Sequence, residues 1–270
     1  MEELLTEKGH TVIRHAIGNS SLTNCYLSYN LVIDRIRAQE IRCFCYDGII
    51  LMVHSLDGVN KLYYFLESRD VLVPDVVRRI QGELEGYPDL VGTVVSRRPE
   101  KNADILEMLG FRPYKQYIRK QMAAESAALC GTVWPVETAA VGDLDDIYPL
   151  LQGISDVMTD HLVSKEELHE FLAAKQVLKI VAEGELAGVL VFETFGKKSY
   201  LRTVSVADRF IGRKIGFSLI EGYFEKNREN AKLFYLWVES TNERAIRLYD
   251  RLGYKDDGLT EYIYRKGQWH

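Results

Sequence analysis

The sequence is poor in cysteine and has no long apolar run. Its four cysteines, Cys25, Cys43, Cys45 and Cys130, form no CxxC pattern, so we expect reduced thiols packed as small apolar side chains, with a metal site as the alternative. No stretch approaches the roughly 18 apolar residues of a membrane-spanning helix. The N-terminal residues MEELLTEKGHTVIRHA lack the apolar core of a signal peptide. We therefore expect a cytoplasmic protein with no membrane partner.

The chain also has no excess of positive charge. Its formal net charge is -5 and its pI is near 5.8, which gives no general attraction to nucleic acids or anionic membranes. A content of 47% hydrophobic and 27% charged residues excludes a fibrous or largely disordered chain. The 270 residues exceed the common size of one domain, so we expect two compact domains.

A segment rich in small residues divides the chain near its middle. Residues 121–135, QMAAESAALCGTVWP, end in Pro135, and both flanks have strand and helix periodicity. We predict an N-terminal domain of residues 1–125 and a C-terminal domain of residues 131–270.

The second half begins with a strand in VETAAV and a helix opened by Asp143. A second helix in KEELHEFLAAKQ follows, and then three strands separated by turns at residues 183–184 and 196–198. These patterns predict an antiparallel meander.

The meander leads through a glycine-containing loop into a helix and then into AKLFYLWVES. This apolar run predicts a strand buried on both faces. Ser240 and Glu243 have the spacing of a capping box for the next helix, and Gly253 suits its C-terminus. A last strand is predicted around EYIYRK.

An internal repeat relates the two halves. RLGYKDDGLTEYIYRK has a counterpart in MLGFRPYKQYIRK, and Gly110 and Gly253 are 253 − 110 = 143 residues apart, which indicates a duplicated domain. The first copy has RDVLVP where the second has its glycine loop, and Leu106 at the position of Tyr249. We expect this degenerate copy to serve as a scaffold, a substrate lid or a dimer surface.

The loop RFIGRKIG carries the features of a phosphate cradle. Gly212 and Gly216 allow close approach to the backbone, and Arg209, Arg213 and Lys214 place positive charge at a helix start. Exposed amides with positive charge bind diphosphates. A solvated turn that caps the helix is the alternative.

The order of these elements resembles the GNAT acetyltransferase superfamily. LRTVSVADRFIGRKIGFSLI is similar to motif A, in which a strand precedes a [QR]xxGx[GA] loop and a helix; Arg209 and Gly212 match, whereas Lys214 stands where the family has Gly or Ala. VESTNERAIRLYDRLGY is similar to motif B through Asn242, Ala245, Tyr249 and the ending Leu-Gly-Tyr. The resemblance covers residues 136–266.

The resemblance implies an α/β (α+β) fold of two GNAT-like domains, each a mixed, mostly antiparallel twisted sheet flanked by helices, with a splayed strand pair at the CoA site. It also implies acetyl-CoA as the co-substrate and no metal. The implied cofactor-binding residues are Val204, Ser205, Val206, Arg209, Ile211, Gly212, Arg213, Lys214, Ile215, Gly216, Asn242 and Ala245. For Asn242 the alternative is a support of the helix start.

The chemistry of amine acetylation indicates the catalytic groups. The family places Tyr249 near the sulfur, where a phenol can protonate a leaving thiolate; a core aromatic is the alternative. A backbone amide near Val204 would stabilise the oxyanion. Glu239 and Glu193 are candidate bases that deprotonate the amine, as partly desolvated carboxylates with raised pKa values or else as solvated charges. His161 is a further candidate.

The sequence therefore predicts an acyltransferase that moves an acetyl group from acetyl-CoA to a primary amine of a small molecule or peptide by direct attack. A non-catalytic acyl-CoA-binding or regulatory module is the first alternative. A transferase that uses charged tRNA is the second, which the acidic balance disfavours, and we expect no nucleic-acid partner. The chain is expected to act as a monomer, with its two copies as a pseudo-dimer, or as a homodimer.

Overall fold

The computed structural model describes residues 14, 22–56, 58–97, 103–127, 131, 133–153, 156, 158–159 and 163–267. The chain forms two compact units. Unit 1 comprises Met1–Gln116 with Thr260–His270, and unit 2 comprises Tyr117–Leu259. The boundaries at residues 125 and 131 rest on the composition of residues 121–135 and on the periodicity of the flanking segments, and they stay a prediction.

Unit 1 is a sheet with three described helices. Its strands are β1 (Leu22–Thr23), β2 (Ile41–Tyr46), β3 (Ile49–Leu56), β4 (Val59–Leu66), β5 (Leu90–Ser96), the start of β6 (Arg112–Ala123) and the end of β12 (Lys255–Lys266). Its helices are α1 (Tyr29–Arg37), α2 (Pro74–Leu84) and α3 (Ala103–Met108). The sheet order is β2-β3-β4-β5-β12, with β1 against β4. Only β4 and β5 are parallel among these pairs.

Unit 2 repeats this arrangement with its own elements. Its strands are the end of β6, β7 (Glu137–Thr138), β8 (Val177–Ala182), β9 (Glu185–Phe195), β10 (Lys198–Val206), β11 (Leu233–Glu239) and the start of β12. Its described helices are α4 (Leu144–Gln152), α5 (Lys165–Ala173), α6 (Ile215–Asn227) and α7 (Glu243–Arg251). The sheet order is β6-β11-β10-β9-β8-β7, and only β10 and β11 are parallel among these pairs.

The parallel strands of unit 2 separate part of the way along their length. β10 pairs with β11 only over Lys198–Leu201 and Leu233–Leu236. Beyond that point β10 continues against β9, with a register shift between Leu201 and Thr203, and β11 continues against β6. Backbone groups on the inner sides of both strands therefore lack a strand partner after the split. The mixed, mostly antiparallel sheet and its splayed strand pair confirm the predicted fold class.

The internal repeat is visible in the structure. β5 and β6 begin at Leu90 and Arg112, and β11 and β12 begin at Leu233 and Lys255, so both offsets equal 143 residues (233 − 90 and 255 − 112). Gly110 and Gly253 both have positive φ, +88° and +96°. Each ends a helix in the left-handed conformation that glycine adopts without strain.

In the degenerate copy, a tightly packed side chain, Leu106, occupies the position that Tyr249 has in unit 2. Leu106 is completely buried, and a Cβ placed on Gly92 would lie 2.6 Å from its Cδ2 atom. The side chain of Leu106 therefore packs directly on the backbone of β5. The segment between β4 and α2 forms a short 3₁₀ turn, Arg69–Val71, and α2 starts with Pro74.

Two local predictions for the second half were wrong, and a third was only partly right. Only Glu137–Thr138 of VETAAV pairs as a strand. Burial along β11 alternates, because α6 covers one face while Tyr235 and Trp237 stay half-buried on the other. The capping box of Ser240 and Glu243 does not form, because α7 begins two residues later than that spacing requires.

None of the cysteines in the described part of the chain forms a disulfide. Burial raises the pKa of Cys25 to about 11 and that of Cys43 to about 12, whereas Cys45 is exposed. Among the described residues, no group of three His, Cys, Asp or Glu side chains is placed to hold a metal ion. No described helix combines the length and the apolarity of a membrane crossing. Cys130 lies outside the described residues.

Candidate functional site

A cavity of about 620 Å³ lies in unit 2 beside the split between β10 and β11. Its walls come from β10, from the loop after β10, and from the helices α6 and α7. Ten of the residues predicted from the sequence line it: Val204, Val206, Ile211, Gly212, Lys214, Ile215, Gly216, Asn242, Ala245 and Tyr249. The structure thus brings together both sequence motifs in one site.

The loop after β10 presents unbonded backbone amides at the start of α6. The amides of Ile211 and Arg213 donate to Asp208 and Phe210 within the turn, and the amide of Ser218 makes the first helical bond, to Lys214. The amides between them, of Gly212 and residues 214–217, donate to no described backbone group. Such a group of amides at a helix N-terminus is an anion-binding arrangement.

Two loop residues hold the left-handed conformation that makes this geometry. Gly212 has φ +88° and Lys214 has φ +64°, the latter as the N-cap of α6. A lysine in this conformation is strained, whereas glycine is not. This explains physically why glycine suits position 214, where the sequence departs from the motif A pattern.

The guanidinium groups of the loop pair with carboxylates and do not line the cavity. Arg209 donates to Glu183 at 2.8 Å and also pairs with Glu185, at 2.5 Å, while Arg213 pairs with Glu183, also at 2.5 Å. Arg213 and Arg209 hold the pKa of Glu183 below its usual range. Neither arginine lines the cavity. Carboxylates at the turn between β8 and β9 therefore pair with the guanidinium groups that the sequence predicted for the phosphate cradle.

Tyr249 lies at the cavity wall with most of its surface covered. Its side chain packs edge-to-face on Tyr254, with ring centroids 5.8 Å apart, and only 8% of Tyr249 is exposed. Burial raises its pKa to about 12, so the phenol keeps its proton at neutral pH. Its hydroxyl makes no hydrogen bond to a described residue, which leaves the donor available to a ligand.

Asn242 and Ser205 both make structural hydrogen bonds. The Oδ1 atom of Asn242 accepts from the amide of Ala245 at 3.0 Å and caps α7. The Oγ atom of Ser205 donates to the carbonyl of Leu150 at 3.0 Å, because its side chain points to the opposite face from those of Val204 and Val206. Ser205 can contribute to the cavity only through its backbone.

The two candidate bases lie outside the cavity lining. Glu193 pairs with Arg202 (2.5 Å), which also pairs with Glu167 (3.2 Å) and stacks over the ring of Phe171. Arg202 sits at the register shift where the strands separate, so this cluster lies next to the split. Glu239, at the end of β11, accepts from the hydroxyl of Thr241 at 3.0 Å. His161 lies outside the described residues.

The sequence reasoning missed a row of arginines. Arg244, Arg247 and Arg251 line the cavity from α7. Their spacing of three and four residues places them on one helix face, which the helical periodicity of the segment could have revealed. With Lys214 they are the cationic residues of the lining, which contains no carboxylate among the described residues.

An ion pair between a buried lysine and a half-exposed aspartate links α7 to the sheet. Lys120 on β6 is 5% exposed, and its Nζ atom lies 2.8 Å from Oδ1 of Asp250, the neighbour of Tyr249. A second support comes from Trp134, whose indole N–H donates to the carbonyl of Arg213 at 2.8 Å. Both contacts hold elements of the cavity wall through residues distant in sequence.

Comparison with known families gives a match within unit 2. Residues 144–254 match the model of the acetyltransferase (GNAT) family. The matched range runs from α4 to the residue after Gly253 and contains every element of the cavity. The chain therefore carries a GNAT domain, as the sequence motifs predicted.

Individual relatives agree with this class. An N-alpha-acetyltransferase of Sulfurisphaera tokodaii is 24% identical over 152 residues, which are 51% of this chain and 90% of that protein. Together with the family match, this relative supports an acetyltransferase.

Solved structures share the fold over most of the chain. A GCN5-related N-acetyltransferase from Sphaerobacter thermophilus has a TM-score of 0.59 at 17% identity, covering 89% of this chain and 86% of that chain. A tandem GNAT protein from the clavulanic acid biosynthesis pathway has a TM-score of 0.61 at 12% identity, covering 100% and 97%. Likeness at these identities shows the fold, and it supports the tandem arrangement predicted from the repeat.

Proposed function

We propose that unit 2 transfers an acetyl group from acetyl-CoA to a primary amine of a small molecule or peptide. The observation that carries this proposal is the cavity beside the split, in which free amides and cationic side chains meet a buried tyrosine. A diphosphate needs such donors, and a pantetheine chain needs an apolar channel with strand edges to bond. The described residues therefore fit the coenzyme.

Separate parts of the cavity would hold separate parts of the coenzyme. The amides of Gly212, Lys214, Ile215 and Gly216 would donate to the diphosphate. The unpaired strand edge of Val204, Ser205 and Val206 would bond the pantetheine arm as an added strand. Arg209 and Arg213 would take part only after leaving their carboxylate partners.

The bound coenzyme supplies an acetyl thioester. A backbone amide of β10 near Val204 would donate to the carbonyl oxygen and stabilise the negative charge that develops on it. Tyr249 would give its phenolic proton to the departing sulfur, a role that suits a protonated side chain held in the cavity wall. Both groups are fixed by the sheet and by α7 before substrate arrives.

An amine attacks only as the neutral base, so a proton must leave it first. Glu193 and Glu239 remain the proposed acceptors of that proton, directly or through water. Glu193 lies beside the split and is held by Arg202, whereas Glu239 lies at the open end of β11. Replacement of each glutamate by glutamine, one at a time, would separate the two. Only the variant that lacks the base should be slower than the wild type at low pH, where the amine is mostly protonated.

Turnover of purified protein tests the proposal. Acetyl-CoA would be incubated with a panel of small amines, amino sugars and peptides with free α-amino groups, and acetylated product would be measured by mass spectrometry. Tyr249→Phe should lower turnover by about 100-fold and leave acetyl-CoA affinity unchanged. Tyr254→Phe is the matched control, because Tyr254 is buried beside Tyr249 and lies outside the lining.

A non-catalytic acyl-CoA-binding module is the second candidate function. The carboxylate partners of Arg209 and Arg213 favour it, because they reduce the positive charge of the cradle. The strained Lys214 favours it as well, because its side chain hinders close approach of a diphosphate to the backbone. The two functions give different results in the same experiment. A binding module would bind acetyl-CoA, form no product with any amine, and show no effect of Tyr249→Phe.

A further inference from the structure

The segment before β7 lies against α6, and we call its residues 133–136 the strap. The first two amides of the strap donate to the Oγ atom of Ser218 at 3.1 and 3.3 Å, and Ser218 is completely buried. A Cβ placed on Gly222 would lie 2.7 Å from Cγ1 of Val136. Ser218 and Gly222 are four residues apart and share one face of the helix. The strap therefore packs directly on that face.

The strap also contacts the loop that precedes α6. The Nε1 atom of Trp134 donates to the carbonyl oxygen of Arg213 at 2.8 Å. Trp134 is half-buried and packs on the hydrophobic core of unit 2, and it lies outside the described lining of the cavity. The indole therefore binds the backbone of the loop without entering the cavity.

The carbonyl of Arg213 and the amide of Lys214 belong to one peptide unit. In a trans peptide the C=O and N–H bonds point in opposite directions, so a donor that holds this carbonyl also directs the N–H away from the indole. Lys214 lines the cavity, and its amide donates to no described backbone group. A hydrogen bond to the carbonyl also polarises the peptide unit and strengthens its N–H as a donor. The indole thus orients one of the amides of the cradle.

The same hydrogen bond opposes relaxation of the strained loop. Lys214 has φ +64°, a conformation that residues with a Cβ avoid. Rotation of the peptide unit between Arg213 and Lys214 would relieve this strain. The rotation would also turn the N–H out of its present direction and break the bond from Trp134.

We propose that Trp134 is a positioning residue for the coenzyme, because its indole holds this peptide unit in the orientation that binds the diphosphate. The inference rests on the proposed function, in which the loop amides take the diphosphate. Trp134 precedes residues 144–254, which match the family model. The role therefore belongs to a residue about which the family match says nothing.

Calorimetric titration of the full chain with acetyl-CoA tests the inference. Trp134→Phe keeps an aromatic ring in the strap and removes the N–H, and it should raise Kd about five- to tenfold, the factor that one hydrogen bond contributes. Trp237→Phe is the matched control and should bind acetyl-CoA as the wild type does. Trp237 is half-buried on β11, outside the core that α6 covers and outside the described lining.

A second background shows whether Trp134 acts through the loop. Glycine adopts positive φ without strain, so in Lys214→Gly the loop needs less support from the indole. Adding Trp134→Phe to Lys214→Gly should therefore raise Kd by less than about threefold relative to Lys214→Gly alone.

The possible outcomes separate this inference from the proposed function. If Trp134→Phe binds acetyl-CoA as tightly as the wild type, the inference is overturned and the proposed function stands. An equal rise of Kd in both backgrounds would also overturn it, because a general loss of packing does not act through Lys214. Absence of binding to the wild type would overturn the proposed function, and this inference with it. Far-ultraviolet circular dichroism would verify that each variant is folded.

Discussion

Gly188 on β9 sets how closely α6 approaches the sheet. A Cβ at this position would lie 2.6 Å from Cγ2 of Ile215, 3.0 Å from the carbonyl oxygen of Ser205 and 3.1 Å from Cδ1 of Leu219. Carbon atoms in contact prefer about 3.5–4.0 Å. Ile215 and Leu219 are fully packed, with exposures of 1% and 0%, so Gly188→Ala must lift the start of α6 by about 1 Å.

Overpacking of this kind costs about 1–3 kcal/mol. Each kcal/mol lowers the melting temperature of a domain of this size by about 2–4 °C. Because Ile215 lines the cavity and begins the helix that carries the cradle amides, Gly188→Ala should also weaken acetyl-CoA binding. Both effects have the same structural cause.

Urea unfolding followed by tryptophan fluorescence measures the stability effect, since Trp134 packs on the same region. Gly142→Ala is the matched control, because a Cβ there meets nothing within 4 Å, and a change within about 0.5 kcal/mol is expected. The reasoning is refuted if Gly188→Ala is as stable as Gly142→Ala and binds acetyl-CoA as tightly as the wild type.

Three further predictions concern charged and titrating groups. Asp250→Ala should destabilise unit 2 by about 1–3 kcal/mol and more than Lys120→Met does, because it leaves a buried ammonium unpaired; equal losses in urea unfolding would contradict this. Glu183→Gln should release the guanidinium of Arg213, whereas Arg209 keeps its pair with Glu185, and should increase acetyl-CoA affinity several-fold, most at low salt; titration at two salt concentrations would show no change if the Arg213 guanidinium never reaches the ligand. The pKa of Tyr249 is about 12 in the folded state and about 10 in the unfolded state. Its contribution to the free energy of unfolding is therefore complete below pH 10 and is lost between pH 10 and 12, where only the unfolded state has released the proton. Tyr249→Phe should therefore make the alkaline fall in stability shallower, which unfolding at pH 9 and pH 11 would test.

Local patterns predicted the elements of unit 2 well, because periodicity and turn residues act over a few positions. The loop of Gly212, the helix after it and the end of α7 at Gly253 are all set by such short-range chemistry. A strand's periodicity does not identify its neighbour, however. The pairing of β6 with β11, which brings Lys120 to Asp250, joins residues more than a hundred positions apart in the sequence and could not be derived from either segment.

The direction of the side chains at the site could not be predicted from the sequence either. Arg209 and Arg213 follow the family pattern in sequence, but their guanidinium groups are drawn to Glu183 and Glu185 on a neighbouring turn. Charge counted along the loop cannot reveal such a partner, because it depends on how β8 and β9 pack beside the loop. The α7 arginines could have been found, since their spacing repeats that of Ala245 and Tyr249 on the same helix.

The most direct test of the central claim is calorimetric titration of the wild type and Gly212→Asp with acetyl-CoA. Gly196→Asp is the control, because Gly196 also has positive φ and open space around its Cβ position, so that strain and added charge are matched. Micromolar binding by the wild type and the control, abolished in Gly212→Asp, is the result that the proposed site predicts. Absence of binding to the wild type, or equal binding to all three proteins, would contradict an acetyl-CoA site in this cavity.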